Sequence, residues 1–128
     1  MKTLKSKLAY LAAIGLSVFL LFFFITNVWI GHEVKSLCQA AEQEYSGDCV
    51  QALLAQLEDE DRSFASRNKA IWALGQLGDR RALATLEKYY TGHIPEREPL
   101  NQTISQYELK KAINLAGGGL NISAWLWR

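Results

Sequence analysis

Apolar residues recur along this chain at i, i+3, i+4 and i+7, the spacing that lines one face of an α-helix. Val34, Leu37, Cys38 and Ala41 keep it, as do Val50, Leu53, Leu54 and Leu57, and then Ala70, Ala73, Leu74 and Leu77. Ala82, Leu83, Leu86 and Tyr89 continue the series, and Leu109, Ala112, Ile113 and Ala116 close it. The pattern predicts amphipathic helices over 33–45, 48–59, 64–77, 80–90 and 104–117. Gly47-Asp48 and Gly78-Asp79 each put a glycine where a helix can end and an aspartate where the next can be capped. Short links between amphipathic helices favour antiparallel neighbours. Pro95 and Pro99 exclude regular helix from the segment 91–100. No stretch alternates with the period of a strand, so the expected fold class is all-α.

Ahead of these helices the pattern changes. From Leu8 to Ile30 there are 23 consecutive residues without a charge. As a helix they extend ~35 Å at ~1.5 Å per residue, enough for the ~30 Å hydrocarbon core of a bilayer. A cleaved signal peptide has a shorter apolar core and a small-x-small cleavage site, and Asn27-Val28-Trp29-Ile30-Gly31 offers none. Lys2, Lys5 and Lys7 precede the segment, whereas only Lys35 falls in the 20 residues after it. The positive-inside rule then leaves residues 1–7 in the cytoplasm and exports the remainder. The expected division is a cytoplasmic terminus over 1–7, a transmembrane helix over 8–30, a repeat domain over 31–119 and an aromatic tail over 120–128. The expected site is a bacterial inner membrane, single-pass, with the repeats periplasmic or extracellular.

The amphipathic helices repeat one another. Gly47-Asp48 with Ala52-Leu53-Leu54 parallels Gly78-Asp79 with Ala82-Leu83-Ala84, at an offset of 30–31 residues. Lys69-Ala70-Ile71 and Lys111-Ala112-Ile113 correspond at an offset of 42, the proline-containing loop being inserted between them. The chain reads as a short α-solenoid of about two and a half helical hairpins. Arg67, Ala70, Ala73, Leu74, Gly75, Leu77, Gly78, Asp79, Ala82 and Leu86 together resemble the bacterial HEAT-like repeat, the kind also found in phycobilisome lyases. The resemblance is good over 48–90 and partial over 33–47 and 104–119. It implies structural roles for Arg67, Ala70, Leu74, Gly75, Asp79 and Leu86, with Arg67 and Asp79 at positions that hydrogen-bond between repeats.

Charge narrows the function classes. Residues 31–128 carry 11 Lys and Arg against 13 Asp and Glu, a formal charge of −2. No basic face or nucleic-acid motif stands out, which argues against a nucleic-acid partner. His32 and His93 lie far apart in sequence, so no metal is expected, and no nucleophile elbow or phosphate loop marks an enzyme. Neither a cofactor nor a small-molecule substrate is evident. An exported domain with two cysteines suggests a Cys38–Cys49 disulfide. A helix running to residue 45 would set Cys38 two turns from the bend, beyond the ~7 Å limit between Cα atoms, so the bridge calls for a helix ending near Ala41. The other reading is two buried thiols.

The tail ends Ala124-Trp125-Leu126-Trp127-Arg128, an extended or strand-like apolar run. It either folds back to cover Leu109, Ile113 and Ala116 or docks a partner or the membrane interface. Trp72, Tyr89, Tyr90, Trp125 and Trp127 are the candidate partner contacts. The function expected is a membrane-anchored repeat module that binds another protein, with the lipid bilayer contacted through 8–30. An accessory subunit of a larger membrane complex is the second reading, and an enzyme of unrecognised type the third.

Overall fold

The computed structural model describes residues 2–128; Met1 of the expected cytoplasmic terminus lies outside them. Six α-helices and no strand occur among the described residues: α1 (Lys2–Glu44), α2 (Cys49–Glu58), α3 (Phe64–Leu77), α4 (Leu83–Tyr89), α5 (Gln106–Ala116) and α6 (Ala124–Trp127). A 3₁₀ turn over Arg80–Ala82 leads into α4.

The uncharged segment and the helix expected at 33–45 are one continuous element. α1 has 43 residues, ~65 Å at ~1.5 Å per residue, and passes through Gly31 without a break. Its apolar part is long enough to cross a membrane, and no residue of its most apolar window is buried. Ser17 and Thr26 donate their hydroxyls to Ala13 O and Phe22 O at 2.8 Å, so neither polar group is left unpaired in the apolar stretch. Beyond Gly31 the helix changes role, and Val34 and Ala41 are buried in protein.

The first connection departs from expectation. α1 runs to Glu44, yet the Cα atoms of Cys38 and Cys49 lie 5.0 Å apart and their sulfurs are bonded. The premise that a bridge needs α1 to stop near Ala41 is therefore wrong. Six helical residues advance only ~9 Å, and the four residues 45–48, when extended, span ~13 Å. The chain thus returns alongside α1 before α2 begins. α2 starts level with Cys38 and ends beside Tyr45, whose hydroxyl donates to Asp59 Oδ2 at 2.6 Å. It consequently runs in the same sense as the end of α1 rather than antiparallel to it.

From α2 onward the chain alternates. Asp48 opens α2 with a reciprocal capping box, its carboxylate accepting from Gln51 N and the Gln51 side chain from Asp48 N. Ser63 caps α3, and Gly78 ends it in the left-handed region at φ 63°, which favours glycine, with its N–H donating to Leu74 O and Gly75 O. α2 with α3, and α4 with α5, form two hairpins. α3 and α5 lie side by side in the same sense: Asn68 meets Ser105 at their starts, and Gly75 meets Ala112 one to two turns on. A Cβ at Gly75 would stand 2.9 Å from Ala112 Cα, so glycine sets this approach.

Leu53, Leu57, Ile71, Leu74, Leu86 and Leu109 are fully buried in one core. Each such side chain contributes ~1.5–3 kcal/mol relative to exposure. Two expectations for the tail fail. Residues 124–127 are helical, not extended. The tail also does not supply the cover for α5, because Leu109, Ala112 and Ala116 are buried within the core that α3 and α4 share. It packs instead on α1 and on the end of α3.

Candidate interaction surface

The junction between the hairpins is ionic. Asp48 and Asp79 occupy equivalent places in the two repeats, and Arg81 joins them. Arg81 Nη1 donates to Asp48 Oδ2 at 2.7 Å and Nη2 to Asp79 Oδ2 at 2.9 Å. The Asp48 carboxyl is held below its usual range by the Gln51 N–H and then by Arg81. Asp79 is lowered by the Arg81 guanidinium and the Arg81 N–H. Arg81 is raised in turn by Asp79 and Asp48. Residues of this cluster are substantially exposed, so it fixes register more than it adds stability.

Arg67 and Asp79 do not bond to each other. Arg67 Nε donates to Leu57 O at 2.7 Å, which ties α3 to the end of α2 within one hairpin. Its guanidinium carbon also lies 5.7 Å from the Phe64 ring centre and 5.8 Å from that of Tyr89, so its reach into the next hairpin is through an aromatic face. The partner-bonding arginine of the junction is Arg81, which sequence reasoning missed because its position lies outside the apolar template.

Two further residues were missed. The buried Asn68 donates to Leu100 O and Thr103 O at 3.0 Å and accepts from Ser105 N at 2.8 Å. Glu98 accepts from Ser105 Oγ at 2.8 Å and from Gln106 N, placing a carboxylate at the amino end of α5, where the helix dipole favours it. Together they pin the proline loop onto α3 and α5. Asparagine and glutamate in a polar stretch carry no periodic signal, and only the fold brings them to these donors.

Tyr45, Asp59, Arg62 and Glu44 form a second polar cluster at the far end of α1. Arg62 Nε donates to Tyr45 Oη at 3.0 Å and its guanidinium pairs with Glu44. The hydrogen bond to Asp59, with burial, pushes the Tyr45 hydroxyl up to about 12.

Of the five candidate partner contacts, Trp72, Tyr89 and Tyr90 are half-buried and pack against the core. Trp127 packs on α1 at Gly31. Trp125 alone of the five is open, with 85% of its surface exposed. Ala65 and Lys69 on α3 and Tyr107, Lys110 and Lys111 on α5 are exposed to solvent. Ala65 and Lys69 border a groove between α1 and α3, lined also by Leu37, Ala40 and Ser66. Among the described residues no three His, Cys, Asp or Glu side chains converge to hold a metal ion.

Residues 66–91 match the PBS lyase HEAT-like repeat family. That segment runs from α3 through α4, the second helix of one hairpin and the first of the next. No curated protein and no solved structure matches the chain. The chain has a HEAT-like helical-repeat fold led by one apolar helix long enough to cross a membrane.

Proposed function

We propose that this protein is a membrane-anchored helical-repeat module that holds a protein partner at the outer face of a bacterial inner membrane. Residues 1–7 stay in the cytoplasm, 8–30 span, 31–119 form the exported repeats and 120–128 the tail. One observation carries the reading: α1 is both the apolar segment and the first layer of the repeat core. A solenoid so mounted has no flexible tether, and its surface stands at a fixed height and angle above the bilayer. Short solenoids act by presenting such surfaces. The family's name carries no lyase chemistry over to this chain, since fold and function are separable. The partner face is the exposed side of α3 and α5, with Lys69 at the α1–α3 groove and Tyr107 and Lys111 on α5.

Photo-crosslinking residues placed at 69 and 107 in intact cells test this. Capture of one protein from both positions, and not from a site on α4 such as Glu87, supports the reading. No capture from either position contradicts it.

The accessory-subunit alternative draws on a different feature, the apolar groove of Phe24, Ile25, Val28, Trp29 and His32 on α1, which the tail leaves open. A second span could lie there. Native sizing after detergent extraction separates the two, because an adaptor runs small and a subunit travels with its complex.

A further inference from the structure

We propose that the C-terminal tail is a second membrane contact, seating Leu120, Ile122 and Trp125 in the lipid–water interface beside the exit of α1. This inference rests on the reading that α1 spans the bilayer.

The position of the tail carries it. Trp127 packs its Cβ and ring against Gly31, the first residue beyond the uncharged segment 8–30. Asn27, one turn deeper on the same face of α1, is only 4% exposed, although most of the apolar segment is exposed. α6 is thus held at the level where α1 leaves the hydrocarbon. At that level the tail turns apolar side chains outward: Leu120 and Trp125 are each 85% exposed and Ile122 is 59% exposed. They cluster around a shallow concavity with Asn121, Ala124 and Arg128. An aqueous surface gives no return for this, whereas tryptophan is enriched at headgroup depth, where its ring is half-solvated. Trp29, 61% exposed on α1, stands at the same level.

The polar groups of the tail agree. No residue from Gly117 to Trp127 carries a charge. Arg128 borders the same concavity, and its guanidinium is tied to the end of α3, Nε donating to Gln76 O at 3.0 Å. Asn121 Nδ2 donates to Gln76 Oε1 at 3.0 Å, and Ser123 Oγ to Asn121 Oδ1 at 2.7 Å. Asn121 and Ser123 thereby spend their polar groups on the protein and Trp127 Nε1 is buried without a partner, so the outward side chains are hydrocarbon and indole, edged by Arg128. Two contacts set some distance apart would stop the module swivelling about α1.

The test reconstitutes the full chain in phosphatidylcholine vesicles and reads tryptophan quenching by phosphatidylcholine brominated near the headgroup. Trp125→Phe is expected to remove a share of the lipid-quenchable emission comparable to that removed by Trp29→Phe, and Trp125 is expected to be shielded from aqueous iodide. The proposal is overturned if Trp125→Phe leaves the quenchable emission unchanged while Trp29→Phe removes it, which puts the tail in water and keeps the span. Absence of quenchable emission in every variant, with no flotation of protein with vesicles, overturns the anchor reading itself. Leu120→Ser with Ile122→Ser, in a face that contacts no core, is a second variant. It is expected to increase iodide access to Trp125, and unchanged access would also count against the proposal.

Discussion

Trp127 lies on Gly31 so closely that a Cβ at Gly31 would stand 2.7 Å from both Trp127 Cβ and Cγ. Real Cβ contacts do not approach to that distance, so either the indole or the helix would have to move. A glycine 96 positions away in sequence thus decides where Trp127 lies in space. Gly15, on the same helix, has nothing within 4 Å of its would-be Cβ and serves as the control.

Gly31→Val is therefore expected to expel the tail, costing ~1–3 kcal/mol as overpacking usually does. Trp127 emission should shift to the red and the tail become protease-sensitive. Gly15→Val should do neither. Equal behaviour of the two variants would mean the Trp127–Gly31 contact is not kept in solution.

Leu74 and Gly75 test the core. Leu74→Ala removes a fully buried side chain and is expected to cost roughly 2–5 kcal/mol, a large part of the stability of so small a domain. Gly75→Val should be comparably harmful by forcing α5 away from α3. A denaturation midpoint unchanged in both would place α3 in the wrong register.

The Cys38–Cys49 bridge should leave no free thiol when the unreduced protein is alkylated and weighed. Its reduction should lower stability by about 2–4 kcal/mol. Two alkylated thiols in protein taken from its own compartment would rule the bridge out.

Ionisation gives opposite signs at the two polar clusters. Asp48 and Asp79 have folded values below the ordinary 3.8. Their stabilisation is present above that value and is lost as pH falls through the folded ones. Arg81→Gln should therefore flatten the acid limb of a melting-temperature profile, and high salt should bring the parent toward the variant. Tyr45, raised from 10.0 to about 12, stabilises below pH 10 and loses that contribution as pH rises through 10–12. Tyr45→Phe should remove an absorbance step near pH 12. A step remaining at that pH would show that another tyrosine carries it.

How much of this was legible in the sequence depends on whether the signal is periodic. Leu53, Leu57, Leu74, Leu86 and Leu109 announce themselves by helical spacing, and all are core. Gly78 and Asp79 mark a helix end because backbone conformation and capping are local. Arg81, Asn68 and Glu98 act across 33, 37 and 8 residues respectively, and no local pattern encodes such pairings. The continuity of α1 was hidden by a change of surroundings, from a largely exposed apolar surface below Gly31 to protein packing above it, which reads in sequence as two elements. The tail was misjudged because alternation of aromatic and aliphatic residues over four positions fits a strand or a helical turn equally well.

The most direct measurement of the central claim is labelling of intact cells with a membrane-impermeant amine reagent, followed by mass spectrometry of the membrane fraction. A full-length chain retained in the membrane is expected, modified at the exposed Lys69, Lys88, Lys110 and Lys111 and unmodified at Lys5 and Lys7. A chain lacking residues 1–30 in the soluble fraction, or label confined to Lys5 and Lys7, would contradict the account.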